Sequence, residues 1–165
     1  MNKSLTDSGA SPCFTPDALY EQYADTVYRV AFLRTKNSSD AEDVLQEVFL
    51  RYIRRAPEFM SAEHAKAWLI RAAINCSNSL LTSAWYRRTE AADDNLRDEI
   101  VERSEVYPLV LALPLKYRTV VHLHYYEGYK VEEIARITGA KESTVKSWLF
   151  RARAELRRQL GEEID

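Results

Sequence analysis

At 165 residues the chain has room for one domain or for two small helical ones. Its 46% apolar content is that of a globular protein, and four glycines with five prolines leave little room for an all-β design. A net charge of −2 excludes holding nucleic acid by bulk charge, so any such contact has to come from local basic patches.

Taken in order, residues 1–14 are polar and Ser-rich without periodicity, and a tail is expected. Thr15-Pro16-Asp17 then combines a capping hydroxyl, a proline at the first helical position and an acid in the first turn. The helix that follows, to about Thr35, has Tyr20, Tyr23, Ala24, Val27, Tyr28 and Ala31 as its apolar stripe. After a loop at residues 36–38, Ser39-Asp40-Ala41-Glu42 reads as a capping box with Ser39 as the cap. The second helix directs Val44, Leu45, Val48, Phe49, Tyr52 and Ile53 to a core and stops before Pro57. Its other face carries Asp43, Gln46, Glu47 and Leu50 at helical spacing. A solvated acidic face with one leucine and a docking stripe both fit that pattern, and composition does not choose between them.

Residues 59–63 form a loop in which Ser61 is a candidate cap. A third helix follows with Ala65, Trp68, Leu69, Ala72, Ala73 and Cys76 inward, and it continues toward Leu80. It ends in Trp85-Tyr86-Arg87-Arg88, a cluster suited either to stacking on unpaired bases or to a helix end with snorkelling cations. Residues 89–104 hold Glu90, Asp93, Asp94, Asp98, Glu99 and Glu102 against Arg97 and Arg103, which reads as a flexible acidic linker between two helical domains. A short helix over residues 105–113 comes next. Pro114 opens another, with Tyr117, Val120, Val121 and His124 inward, and Gly128 closes it.

The stretch from Val131 to Arg158 is the most informative. Val131, Ile134, Ala135 and Thr138 form one helical stripe, and Val145, Leu149, Ala152 and Leu156 form a second in a different phase. Between them Gly139 supplies the positive φ that a tight inter-helix turn requires. This is the pattern of a helix-turn-helix, whose second helix enters the DNA major groove. Opposite its core stripe lie Ser143, Ser147, Phe150 and Ala154, flanked by Thr144, Lys146, Arg151 and Arg157. Small hydroxyls permit close approach to base edges, and the cations neutralise phosphates. An Arg-rich solvated helix would share the charge, though not the glycine-centred turn.

No constellation for bond chemistry accompanies these helices. His122 and His124 face different sides of a helix, His64 stands alone, and there is neither a nucleophile–base pair nor a phosphate-binding glycine loop. No catalytic residue, metal or cofactor is therefore expected. Cys13 and Cys76 have no CxxC partner, which points to a reducing compartment. No run approaches a membrane span and residues 1–15 lack a signal-peptide core, so a cytoplasmic protein is expected.

Two separated stretches resemble one family. Asp40-Ala41-Glu42-Asp43-Val44-Leu45-Gln46-Glu47-Val48-Phe49 and Trp68-Leu69-Ile70-Arg71-Ala72-Ala73-Ile74-Asn75 are similar to region 2 of the extracytoplasmic-function sigma factors. Leu113-Pro114, Tyr117-Arg118, Tyr126-Glu127-Gly128, Glu133-Ile134-Ala135, Thr144-Val145-Lys146-Ser147 and Arg151-Ala152-Arg153 are similar to region 4 of the same family. The resemblance implies an all-α protein: a tail at 1–14, region 2 at 15–88, an acidic linker at 89–104 and region 4 at 105–165. It implies a transcription initiation factor that directs core RNA polymerase to promoters and helps melt the −10 element. The residues matching Asp43, Gln46 and Glu47 would dock on the clamp helices of the β′ subunit, with Leu50 on the same face. Region 4 would approach the β flap and read duplex −35 DNA through Lys141, Glu142, Ser143, Thr144, Lys146, Ser147 and Arg151. Region 2 would hold the melted −10 strand, with Phe59 near a flipped base, Asn75 beneath it, and Lys66, Arg71, Arg87 and Arg88 on the backbone. Family members are often restrained by an anti-sigma protein, which leaves such a partner open here.

Several positions depart from the family pattern. Lys130 and Lys141 stand where Ser or Thr caps are common, a loss of about 1 kcal/mol each. Trp148 replaces a frequent arginine. Ala65 and Lys66 replace aromatics, which weakens the expected −10 grip. Two rival readings remain at this point: a helix-turn-helix regulator that never meets polymerase, and a sigma-like interaction protein without initiation activity.

Overall fold

The computed structural model describes residues 14–84 and 105–161. The N-terminal tail, the acidic linker with Arg87 and Arg88, and the last four residues lie outside the described residues.

Helix α1, Pro16–Thr35, starts where the Thr15 hydroxyl accepts from the Ala18 N–H at 3.2 Å, and it ends at Lys36 in the left-handed region (φ 57°). Leu19, Val27, Val30, Ala31 and Leu33 are buried along it. Tyr20, expected inward, is 49% exposed and lies edge-on to Phe49 with ring centroids 5.0 Å apart. Helix α2, Ser38–Arg55, begins two residues earlier than its sequence signal. Its cap is Asn37, whose Oδ1 accepts from the Asp40 N–H at 2.8 Å, so Ser39 sits inside the first turn instead of capping it. Val44, Val48, Phe49 and Tyr52 are buried, whereas Ile53, assigned to the core from its spacing, is 56% exposed. Helix α3, Ala62–Ala84, starts at Ser61, whose hydroxyl accepts from the His64 N–H at 3.1 Å. Ala65, Leu69, Ala72, Ala73 and Cys76 face inward as expected, and Trp68 is half-buried. These three helices pack pairwise into the N-terminal unit.

The C-terminal unit comprises α4 (Tyr107–Leu111), α5 (Leu115–Val121), α6 (Val131–Thr138) and α7 (Glu142–Gly161). Helix α5 runs directly into a π turn, His122–Tyr126, in which the Glu127 N–H donates to the His122 carbonyl at 3.1 Å. That wider turn admits an extra residue and shifts the helical register. Arg118, Thr119 and His122, which precede or open that turn, are buried, while Tyr117 and His124, expected inward from their spacing, are only half-buried. Lys130 offers no acceptor at the start of α6, but Glu133 Oε1 reaches back to its N–H at 2.8 Å, half of a capping box that offsets the missing cap.

The two units are packed against each other, α1 on α5 and α3 on α6, and their apolar side chains form one buried cluster. At this seam Arg118 Nε donates to the Leu33 carbonyl at 2.7 Å and its Nη2 to the Arg34 carbonyl at 2.8 Å, the open carboxyl end of α1. Arg34 answers from the other side, with Nε on Ser77 Oγ at 2.6 Å, Nη1 on Thr119 Oγ1 at 2.7 Å and Nη2 on Asn78 Oδ1. Burial, then the neighbouring Arg118 charge, pulls the Arg34 pKa down to about 10.

The cap assignment gives a direct check. Asn37→Ala removes the acceptor at the start of α2 and is expected to lower stability by about 1 kcal/mol in urea denaturation, whereas Ser39→Ala stays within about 0.5 kcal/mol of the parent. Equal losses would return the cap to Ser39.

Candidate nucleic-acid interface

Helices α6 and α7 meet across Gly139, whose φ of 80° and N–H bond to the Ala135 carbonyl at 2.8 Å close the first helix. Ile134, Ala135 and Ile137 pack against Val145, Leu149 and Ala152, all buried. That packing fixes the outward face of α7. Lys141, Glu142, Ser143, Lys146 and Arg151 are exposed on it, with Thr144 and Ser147 half-buried. Phe150 lies between them at 69% exposure, an aromatic ring held in water on a polar face. Among the described residues no ion pair ties down Lys141, Lys146, Arg151 or Arg157; Arg153 donates to the Tyr125 hydroxyl at 3.0 Å, and Arg158 pairs with Glu155 at 2.6 Å. Trp148 turns away from this face. It is half-buried beneath Lys116, 5.7 Å from its ring centroid, and lines the groove between the units with Asn78 and Thr138.

On α2, Asp43, Gln46 and Leu50 are exposed and Glu47 is half-buried. The exposed Ile53 extends Leu50 by one turn, so this face is apolar as well as acidic. Glu47 is engaged by its own helix, accepting from Arg51 Nε at 3.3 Å and Arg54 Nη2 at 2.9 Å. Exposed pairs of this kind are worth well under ~1 kcal/mol and exchange readily for an intermolecular partner.

The remaining candidates divide. Phe59 is half-buried in an aromatic cluster, stacked on Tyr52 with centroids 5.9 Å apart and edge-on to Phe14, His64 and Trp68. Next to it Met60 is 91% exposed at the loop tip. Trp68 connects this cluster to a cleft of about 330 Å³ lined by Arg51, Arg55, Arg71 and Asn75. Arg71 and Asn75 are thereby brought together, and Arg51 and Arg55, which the sequence reading left out, join them. The only sequence signal for those two was the run of arginines at the end of α2; their convergence with α3 is a tertiary fact. Three guanidiniums, an amide and an indole edge make a site for a phosphate backbone with an adjacent base.

Lys66 points elsewhere, into the C-terminal unit. Its Nζ lies 3.2 Å from Glu127 Oε1 and 5.5 Å from the Tyr129 ring centroid. Glu127 also meets His122 Nε2 at 3.1 Å. Burial pushes the Glu127 carboxyl up, but the His122 hydrogen bond and the charges of His122 and Lys66 outweigh it and hold the pKa below the ordinary glutamate range. Burial, then Glu127 and other nearby carboxylates, pushes the Tyr129 phenol up. Among the described residues there is no group of three His, Cys, Asp or Glu side chains able to hold a metal, and no helix is long and apolar enough to cross a membrane.

Comparison with known proteins follows the same division of the chain. Residues 19–87 match the family model for Sigma-70 region 2, and residues 103–156 match that for Sigma-70 region 4. The ECF RNA polymerase sigma factor SigL of Mycobacterium tuberculosis is 32% identical over 157 residues, covering 88% of this chain and 88% of the relative. The RNA polymerase sigma factor SigV of Bacillus subtilis is 29% identical over 143 residues, covering 82% of this chain and 85% of the relative. Among solved structures, the sigma factor RpoE from Bartonella quintana, in complex with the anti-sigma factor NepR, superposes with a TM-score of 0.69 at 19% identity over 88% of this chain and 96% of that one. CnrH, in complex with the cytosolic domain of CnrY, gives 0.66 at 22% identity over 89% and 88%. At those identities the superpositions speak for the fold alone.

A carboxyl whose pKa is depressed on folding stabilises fully above its unfolded value and loses that contribution as pH falls through the folded value. Glu127 is such a group, so the window opens at the ordinary glutamate value, about 4.3, and extends below it. Urea midpoints measured from pH 7 down to pH 3 are expected to fall less steeply in Glu127→Gln than in the parent; parallel curves would remove Glu127 from the acid response.

Proposed function

The chain belongs to the extracytoplasmic-function family of RNA polymerase sigma factors, and we propose that the faces described above divide that family's work among named residues. The α2 face of Asp43, Gln46, Glu47 and Leu50, extended by Ile53, docks on the clamp helices of the polymerase β′ subunit. Helix α7 reads the −35 element in duplex form: Lys141, Lys146 and Arg151 on phosphates and base edges, Glu142, Ser143, Thr144 and Ser147 at close range, and Phe150 as an apolar contact for a thymine methyl. The remainder of region 4 approaches the β flap. The melted −10 strand runs along the Arg51–Arg55–Arg71 cleft with Asn75 and Trp68, near the loop of Phe59. Lys66 contributes once it is released from Glu127, and Arg87 and Arg88 continue the basic path.

The observation that carries this reading is the presence, on one chain and in family order, of an acidic and apolar helix face and a helix-turn-helix on which Lys141, Lys146 and Arg151 have no ion pair among the described residues. A regulator that never meets polymerase has no use for the first, and an interaction protein without promoter contact has no use for the second. Mechanistically, binding energy serves strand separation. Extruding a base costs a few kcal/mol, offset by stacking and by a cationic groove for the strand. The chain performs no bond chemistry; the polymerase does. We place it in the cytoplasm, where core polymerase works, and take residues 15–88, 89–104 and 105–165 as region 2, linker and region 4. A restraining protein of the anti-sigma kind, as bound to RpoE of Bartonella quintana, is the further partner this reading admits.

Asp43→Lys combined with Glu47→Lys reverses the α2 charge without touching α7. The double variant is expected to lose capture of core polymerase and run-off transcription at least tenfold while retaining binding to −35 duplex DNA. Undiminished capture would overturn the docking assignment, and capture without any run-off product from the parent chain would favour the interaction-protein reading.

A further inference from the structure

The loop between α2 and α3, residues 57–61, is held at both ends and in its middle. At its start Ala56 closes α2 in the left-handed region (φ 44°), with its N–H on the Tyr52 carbonyl at 2.8 Å, and Pro57 then restricts the backbone. At its end the Ser61 hydroxyl caps α3, and the Met60 N–H donates at 3.1 Å to Nδ1 of His64, an imidazole reaching back from the first turn of α3. Between them the Phe59 ring lies flat on Tyr52 and edge-on to His64, with centroids 5.9 and 5.3 Å away.

One more clamp comes from the chain ahead of α1. Phe14 precedes the Thr15 cap, and it precedes residue 19, where the match to region 2 begins. Its ring meets Phe59 edge-on with centroids 5.5 Å apart, and its carbonyl accepts from the Tyr52 hydroxyl. Further along α1 the Tyr23 hydroxyl donates to the Ala62 carbonyl at 3.3 Å. The entry to α1 is thereby strapped across the loop and against the start of α3. What the strapped loop carries into solvent is Met60, 91% exposed at its tip.

We propose that Phe14 and His64 are positioning residues of the −10 loop: together they hold Phe59 and Met60 in the geometry that receives an extruded base, so that ordering the loop adds nothing to the barrier of strand opening. The inference rests on the reading of this loop as a −10 contact. A base leaving the stack has to find its new neighbours already in place, because a site that must order itself loses binding energy to its own backbone and side chains. An aromatic face fixed at Phe59 takes a base by stacking, and an apolar tip such as Met60 on a stiff backbone can enter a base step as a wedge. Phe14 acts through the Phe59 ring and His64 through the Met60 N–H. Neither lines the Arg51–Arg55–Arg71 cleft, and neither lies on the docking face of α2.

The test uses the full chain with core polymerase on the fragment of bacterial genomic DNA that gives its strongest start. The template is made in two forms, fully duplex and pre-opened by mismatched bases across the −10 element, and opening is followed by permanganate reactivity of the −10 thymines. Phe14→Ala and His64→Leu are each expected to slow opening of the duplex about fivefold, the size of one lost aromatic or hydrogen-bond contact. Capture of core polymerase stays at the parent's level, and output from the pre-opened template falls less than about twofold, since the extrusion step is then already made. His64→Asn, whose Oδ1 stands where Nδ1 stood, is expected to restore the parent's rate. Met60→Ala, at a side chain surrounded by water, leaves folding untouched and is expected to slow opening likewise. Opening at the parent's rate in Phe14→Ala, His64→Leu or Met60→Ala, an equal loss on both templates, or His64→Asn as slow as His64→Leu would each overturn the proposal. A parent chain that captures no polymerase and gives no start from any fragment overturns the functional reading itself, an outcome seen before any variant is compared.

Discussion

Arg118 at the carboxyl end of α1 is the interaction on which the arrangement of the molecule depends. A helix ends with backbone carbonyls that have no partner within it, and it carries partial negative charge there. In α1 the Lys36 N–H satisfies the Phe32 carbonyl, and the guanidinium of Arg118, from a helix some 80 residues on, takes those of Leu33 and Arg34. One planar cation thus replaces water at the end of α1 and fixes the angle at which α5 approaches. Its third nitrogen, on the Leu113 carbonyl, ties the same group to the turn before α5. The register of the C-terminal unit on the N-terminal one follows from this fork, because a fork that satisfies three carbonyls has few alternative placements.

The π turn after α5 is the second constraint, and it acts through the first. By widening the helix at residues 122–126 it carries Glu127 to where it meets both His122 and Lys66. Glu127-Gly128 then exits with Gly128 at φ 78°, which sets the start of α6. The helix-turn-helix is consequently positioned by a chain of local events beginning at the carboxyl end of α5, and its recognition face is oriented before any DNA is present.

What the sequence made legible was whatever depends on a single helical period. The α7 stripe of Val145, Leu149 and Ala152, the inward set of α3 and the positive φ of Gly139 all follow from spacing and from the steric demands of a turn. The misplacements arose where spacing is ambiguous or where a neighbouring unit covers a polar face. Tyr20 and Ile53 lie at stripe edges, and an edge residue is buried only if a neighbouring helix happens to cover it. Asn37 and Ser39 both offer capping oxygens, and the choice between them was made by where α1 ends. His122 lies inward and His124 at the edge because the polar Arg118 face of the helix, one regular turn before His122, is covered by α1, which hydrophobic spacing does not signal. Arg51 and Arg55 were not legible as part of a cleft, since their meeting with Arg71 and Asn75 depends on how α2 and α3 cross.

The same limits explain how a chain of net charge −2 can hold DNA at all. Its cations are sorted: some are consumed inside the fold, as in Arg34 and Arg118, some lie in surface pairs, as in Arg51, Arg54 and Arg158, and among the described residues Lys141, Lys146 and Arg151 stand without an ion pair at the start and along the outward side of α7. Neither face therefore carries enough charge for tight binding alone, given that affinity for duplex scales with the number of phosphates neutralised. Two weak faces on one chain become strong only when a third body holds them at the right separation, for then the second contact forms at an effective concentration set by the tether instead of by bulk solution. Core polymerase is such a body. Dependence on it is what keeps a chain with an exposed recognition helix from occupying DNA wherever a −35-like sequence occurs.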